Sequence, residues 1–201
     1  EIVFACVDAD LARTEPDPEI QDLIRASADP ARGGGLNLAL DYLPGSITFD
    51  PLALQPGTEL ASRIVWFDAF VTNLDRTVRN TNLLVWHARL WLIDHGAALY
   101  FHHDWRDFMT RAANPFALIK DHVLLPLASQ LEAADAWMTQ RLTPERIEEI
   151  VRWIPDAWLE DDSSFASKAD HRAAYLRYLT QRLEAPRAFV QEAVRAHALH
   201  V

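Results

Sequence analysis

Lysine is nearly missing from this chain: only Lys120 and Lys168 occur in 201 residues, and the net charge is −10. Phosphate backbones are met by clustered Lys and Arg, so direct nucleic-acid binding is not expected. The acidic surface reads as a device for solubility. Cysteine is scarcer still. Cys6 cannot close an internal disulfide, and in the apolar run Ile2-Val3-Phe4-Ala5-Cys6-Val7 it reads as a small core residue rather than a nucleophile. No apolar stretch approaches the ~20 residues that span a bilayer, and no basic-then-apolar leader opens the chain. The expectation is a soluble, cytoplasmic protein with no membrane partner. No serine stands in a Gly-x-Ser-x-Gly elbow, which removes the commonest hydrolase signal. Gly33-Gly34-Gly35 has no strand before it and no Lys-Ser/Thr after it, so it is not a phosphate cradle.

What is present is half hydrophobic, enough to bury a full core. The opening apolar run predicts a strand. Pro18 to Ala28 predicts a helix with acids in its first turn, and Leu36 to Leu43 a second strand closed by Pro44-Gly45. Glu59 to Val71 carries Leu60, Ile64, Val65, Phe67, Ala69 and Phe70 at core-helix spacing. Its Asp68 can sit near the loop that follows, or serve as a surface or capping group, the commoner role of a carboxylate at a helix end. Beyond Gly96 the pattern is helical: Asp104 to Arg111, Pro115 to Leu125, Pro126 to Gln140, a capped helix from Thr143-Pro144 with Ile147, Ile150, Val151 and Ile154 on one face, then Lys168 to Leu183 and Pro186 to His200. Most of the seven tryptophans fall at apolar-face positions and read as core. The fold class is therefore mainly α with a few short strands, α+β.

The chemistry concentrates in FVTNLDRTVRNTNLLVWHARLWLIDHG, Phe70 to Gly96. Asp75 and Asn80 stand in a polar loop too irregular for an amphipathic helix. Leu83-Leu84-Val85-Trp86 reads as a strand, His87-Ala88-Arg89 as a tight turn and Leu90-Trp91-Leu92-Ile93 as the returning strand, after which comes Asp94. Such a hairpin brings Asp94 back beside the loop, where an acid and an amide can share a hard cation with a second acid nearby. Arg76 and Arg79 flank that loop, able to neutralise phosphate or to serve as surface charges.

Asp-x4-Asn followed by a hairpin and Asp-x-Gly resembles the catalytic and metal-binding segments of the protein-kinase-like fold. NLDRTVRNTNLL…LIDHG resembles most the HipA-like kinases of bacteria, and more weakly the phosphoinositide kinases. The resemblance implies a helical C-terminal lobe with a catalytic-loop β-hairpin over residues 46–201, and the end of an N-terminal lobe with its hinge over residues 1–45. It implies Asp75 as catalytic aspartate, Asn80 and Asp94 as Mg2+ ligands, Asp41, Tyr42 and Leu43 against the adenine of ATP, and Asn73, Arg76 and His95 around the nucleotide. His95 stands where protein kinases have the Phe of DFG, and Thr72-Asn73-Leu74 where they have His-Arg, which argues against an ordinary serine/threonine protein kinase.

The resemblance implies transfer of the γ-phosphoryl group of ATP to a hydroxyl acceptor, protein or small molecule. A kinase also needs a phosphate-covering loop and an upstream Lys, and neither is found; the chain reads as part of a longer protein, expected to bind nucleotide weakly or not at all by itself. Two alternatives stand beside it. One is a noncatalytic helical binding module or pseudokinase, and the other a metal-dependent hydrolase using Asp75, Asp94 and nearby His95, His102 and His103.

Overall fold

The computed structural model describes residues 2–29, 35–159 and 164–200, with the backbone alone at Ile2. Gly33, Gly34 and the acidic residues 160–162 lie outside the described residues. In chain order the elements are β1 (Ile2–Cys6), α1 (Pro18–Ser27), β2 (Leu36–Leu40), β3 (Ile47–Thr48), α2 (Thr58–Phe70), β4 (Leu83–Trp86), β5 (Arg89–Leu92), α3 (Phe108–Ala112), α4 (Leu131–Thr139), α5 (Pro144–Arg152), α6 (Lys168–Leu183) and α7 (Ala188–Ala198). The fold is mainly α, with two small antiparallel sheets. The chain divides into two compact units, Glu1–Pro44 with Arg152–Arg172, and Gly45–Val151 with Ala173–Val201.

In the first unit β1 and β2 pair antiparallel, Val3 opposite Ala39 and Cys6 opposite Leu36. Val7 N–H extends the ladder to Gly35 O at 2.9 Å. Gly35 has φ +76°, and a Cβ there would stand 3.3 Å from Val7 O, so a side chain is disfavoured both by conformation and by space. Asp17 caps α1, its Oδ1 accepting from Glu19 N at 2.9 Å, with Pro18 at the first helical position. The Trp158 indole N–H donates to Leu36 O at 3.0 Å, and its ring meets Phe4 edge-on at 5.6 Å.

The second unit is built around α2. Ala61, Ile64, Val65, Trp66, Ala69 and Phe70 are all buried, so the helix is covered on nearly every side. It packs against α4, α7 and the 3-10 turn Leu125–Leu127. Trp66 stacks on Phe70 at 5.3 Å and meets Phe189 edge-on at 5.3 Å, while its N–H donates to Asp135 at 2.9 Å. Truncating an aromatic buried in this way costs about 3–5 kcal/mol. Ser62 accepts the Gln130 N–H at the start of α4, at 2.9 Å. Beside the helices lies a three-stranded sheet, β3–β4–β5, with Thr48 opposite Leu84 and Leu83 opposite Leu92.

Several expectations are corrected. The second strand ends at Leu40, so Asp41, Tyr42 and Leu43 follow it as irregular chain. The hairpin turn is two residues, His87 and Ala88, both at positive φ as a type I′ turn requires, and Arg89 belongs to the returning strand. Pro115 to Leu125 makes no α-helix: Ala117–Asp121 is a 3-10 turn, and Pro126 lies in another. Proline at that position and the short apolar stretches favour turns anchored by tertiary contacts. The helix expected from Asp104 begins at Phe108. Cys6 is exposed, Ile150 is exposed, and among the tryptophans only Trp66 is fully buried, with Trp153 69% exposed. Helical spacing identified these apolar residues but not which face finds a partner.

Candidate active site

The Asp75 loop leaves the C-terminal end of α2, where the last carbonyls have no helical partner. Arg182 of α6 supplies one. Its guanidinium is buried and donates to Ala69 O (2.7 Å), Phe70 O (2.8 Å), Ala112 O (3.0 Å) and Asn114 O (3.3 Å). A cation at a helix C-terminus also meets the negative end of the dipole. Burial lowers its pKa from the ordinary value, with Tyr178 opposing.

In the last turn of the helix stands Asp68, which is fully buried. Its Oδ1 accepts from Asn73 Nδ2 at 3.0 Å; its Oδ2 accepts from Arg76 Nε at 2.6 Å and lies 3.0 Å from His122 Nε2. His122 Nδ1 accepts the Leu124 N–H at 3.0 Å, so the ring proton sits on Nε2 and is donated to Asp68. Burial alone would raise the Asp68 carboxyl; the hydrogen bonds and the Arg76 charge outweigh it and hold its pKa below the ordinary 3.8. Asp68 thus clamps the loop from inside. Asn73 N–H also donates to Asp68 O at 2.8 Å, and Arg76 Nη1 reaches Asn82 O, so both ends of the loop are tied to α2.

Asp75 is held at the loop's bend. Its N–H donates to Asn73 Oδ1 at 3.2 Å, and its Oδ2 accepts from Asn80 Nδ2 at 2.8 Å and Asn82 Nδ2 at 3.3 Å. The two amides occupy one carboxylate oxygen. Oδ1 makes no hydrogen bond among the described residues, and because Asn80 spends its NH2 on Asp75, its own Oδ1 is likewise uncommitted. Thr77 N–H closes the turn on Asn80 O at 2.9 Å.

The hairpin returns the chain to this loop: Ile93 N–H donates to Asn82 O at 3.0 Å, and Leu74 N–H to Ala97 O at 3.3 Å. Asp94 follows Ile93 with φ +47°, a left-handed conformation that Asp tolerates better than most residues and that recurs at functional sites. Its Oδ1 accepts the Gly96 N–H at 3.3 Å, so it caps a turn rather than a helix. The structure therefore joins Asp75 directly to Asn80 and brings Asp94 alongside through the backbone, with no hydrogen bond from Asp94 to either among the described residues. His95 meets Phe67 edge-on at 6.2 Å; burial of its ring, then the Arg76 charge, lowers its pKa below 6.5, leaving it neutral at pH 7.

The remaining candidates are placed as follows. Arg76 is fully buried in its ion pair with Asp68, not a surface charge, and only its Nη2 lacks a partner. Asn73 is buried, and both ends of its amide are engaged within the loop. In the first unit, Tyr42 is 87% exposed. A cleft of about 410 Å3 opens beside the loop, lined among others by Phe49, Asp50, Asn80, Asn82 and Ile93. Among the described residues no three His, Cys, Asp or Glu side chains come together as a metal cluster, and His102 instead meets the Tyr175 hydroxyl at 3.2 Å.

Asn82, His122 and Arg182 were not singled out from the sequence for this site, and Asp68 was given a place near it but no role in holding it. For Asp68 a signal existed, since it stands four positions after Ile64 and three after Val65, on the side of the helix away from Glu59 and Arg63, where an acid is buried and needs a partner. Asn82 repeats the amide of Asn80 two positions on. His122 and Arg182 reach the loop through tertiary contacts that no local pattern marks.

The sequence model of one family, HipA-like kinase, matches residues 47–191, which include Asp75, Asn80 and Asp94. No curated protein and no solved structure matches the chain.

Proposed function

Because the chain belongs to the HipA-like kinase family, we propose that it carries the site of a phosphotransferase that moves the γ-phosphoryl group of ATP, with Mg2+, to a hydroxyl acceptor. The observation that carries this reading is the Asp75–Asn80 pair. Two amides hold one oxygen of Asp75 in place and leave the other, Oδ1, with open lone pairs. A carboxylate so fixed is suited to accept a hydrogen bond from an acceptor hydroxyl and to take its proton as the oxygen–phosphorus bond forms and the bond to the leaving ADP oxygen breaks. Positioning does most of the work.

The oxygens of Asn80 and Asp94 suit a hard divalent cation. Asn80 turns its amide nitrogen toward Asp75 and so leaves its oxygen as the ligand; Asp94 keeps Oδ2 outside its turn hydrogen bond. Mg2+, when bound, neutralises charge on the phosphate oxygens. His95, neutral beside Asp94, can donate a hydrogen bond without adding charge. Asp41, Tyr42 and Leu43 are proposed to meet the adenine.

Calorimetry of Mg-ATP binding by the full-length protein tests the reading. Binding that Asp94→Ala abolishes is the expected result. Absence of binding by the wild type refutes the kinase reading and leaves a noncatalytic binding module.

A further inference from the structure

Asn82 is the last residue of the Asp75 loop before β4, and it serves the site through its side chain and its backbone together. Its Nδ2 donates to Asp75 O at 3.2 Å and to Asp75 Oδ2 at 3.3 Å. Its carbonyl accepts the Ile93 N–H at 3.0 Å, one residue before Asp94. The same carbonyl accepts from Arg76 Nη1, and Arg76 Nε in turn donates to Asp68. One residue therefore touches the carboxylate that faces the acceptor, the chain that delivers Asp94 and the buried ion pair that clamps the loop.

The backbone lets one residue do this. Asn82 has φ +45°, in the left-handed region that asparagine enters more readily than most residues. In this conformation the amide meets Asp75 on one side while the carbonyl meets Ile93 on the other.

Two amides reach Asp75 Oδ2, and their surroundings differ. Asn80 is exposed, whereas Asn82 is only 9% exposed. Water competes for a hydrogen bond at an exposed amide and far less at a buried one. Asn80 also has a second duty, as the amide whose oxygen suits the cation. Among the described residues, Asn82 Nδ2 bonds to Asp75 alone.

We propose that Asn82 is a positioning residue of this site. Its amide keeps Asp75 Oδ2 in place while Asn80 gives its oxygen to the cation, and its carbonyl sets where Asp94 stands relative to Asp75. This rests on the kinase reading and adds to it a residue that acts through Asp75 and Asp94.

Asn82→Gly is the test, in the full-length protein. Glycine adopts positive φ without strain and keeps the carbonyl for Ile93 and Arg76, so only the amide is lost. Thermal melts without nucleotide give a readout independent of turnover. The cost of glycine in the unfolded chain is the same whether or not Asp75 is present. The fall in Tm caused by Asn82→Gly should therefore be smaller in an Asp75→Ala background, where the amide has lost its carboxylate. Equal falls in both backgrounds overturn the proposal.

Turnover is read as ADP release from Mg-ATP with water as the acceptor. The water oxygen bonds to the γ-phosphorus as the bond to the ADP oxygen breaks, and its proton passes to Asp75. Asn82→Gly is expected to lower kcat by roughly tenfold to a hundredfold with KM for ATP unchanged. Asn82→Asp has the same shape but sets an oxygen where Asp75 needs a donor, and should lose at least as much. A glycine variant that keeps most of the wild-type kcat, or one that loses Mg-ATP affinity in calorimetry as steeply as it loses rate, overturns the proposal. A wild type that binds Mg-ATP while Asn82→Gly turns over normally overturns this proposal and spares the kinase reading; a wild type that binds no Mg-ATP overturns both.

Discussion

Asp68→Asn keeps the shape of a buried side chain and removes its charge. The carboxylate it replaces accepts from Asn73, Arg76 and His122, all three of which present N–H groups. An amide at this position offers one oxygen where two acceptors are needed, and its NH2 must face a donor. Arg76 would then be a buried cation without a counter-ion. Breaking a buried pair in this way costs about 3–5 kcal/mol, a large share of the 5–15 kcal/mol that typically holds a protein folded. At ~2–4 °C per kcal/mol for a chain of this size, the melting temperature should fall by roughly 6–20 °C. The pH dependence carries a second signature. A carboxyl with a depressed folded pKa contributes stability that is present above its unfolded value and is lost as pH falls through the folded one. The difference between wild type and Asp68→Asn should therefore be full above pH 5 and shrink on acidification below the ordinary 3.8. Calorimetric melts of both proteins from pH 7 to pH 3 measure it. A variant that melts within about 2 °C of wild type at pH 7 would refute the view of Asp68 as the clamp of the loop.

Asp75→Asn should leave the fold intact, because an amide oxygen can still accept from Asn80 and Asn82, yet it should lower phosphoryl transfer by about 10²–10⁴ in an assay of the full-length protein; a variant keeping more than a tenth of the wild-type rate rules out proton transfer to Asp75. Arg182→Met removes the guanidinium donors from the carbonyls of Phe70 and Ala112 at about 1–3 kcal/mol each, so thermal melts should show a drop of several degrees, and an unchanged Tm contradicts the capping role. The His95 ring should titrate by NMR with a midpoint below 6.5; a midpoint above that value would mean that partial burial and Arg76 do not govern it.

Much of the architecture was legible where physics is local. The core spacing of α2 predicts its position to within a residue at each end, and Thr143-Pro144 marks the start of α5, where Thr143 Oγ1 accepts the Arg146 N–H at 3.3 Å. Two short apolar runs either side of a tight turn likewise predict the hairpin that carries Asp94. Legibility fails between Pro115 and Gln130, where 3-10 turns replace the expected helix because short segments there are shaped by what they pack against. In the site, Asp75 and Asn80 could be paired from their spacing, since a tight polar loop brings such residues together. The partner that holds the loop could not be chosen the same way. His122 lies 54 positions from Asp68, and nothing in its own neighbourhood distinguishes it from the other histidines.

The cap on α2 also has a bearing on how the chain is made. Arg182 lies 112 positions after Phe70, whose carbonyl it holds. A ribosome adding ~5–20 residues per second reaches it roughly 6–22 s later. Through that interval the helix end is uncapped and the buried partners of the loop, His122 included, arrive one at a time. The nascent chain therefore displays the Asp75 loop, with its local bonds to Asn80 and Asn82, before the distant groups that anchor it and the end of α2 have been synthesised.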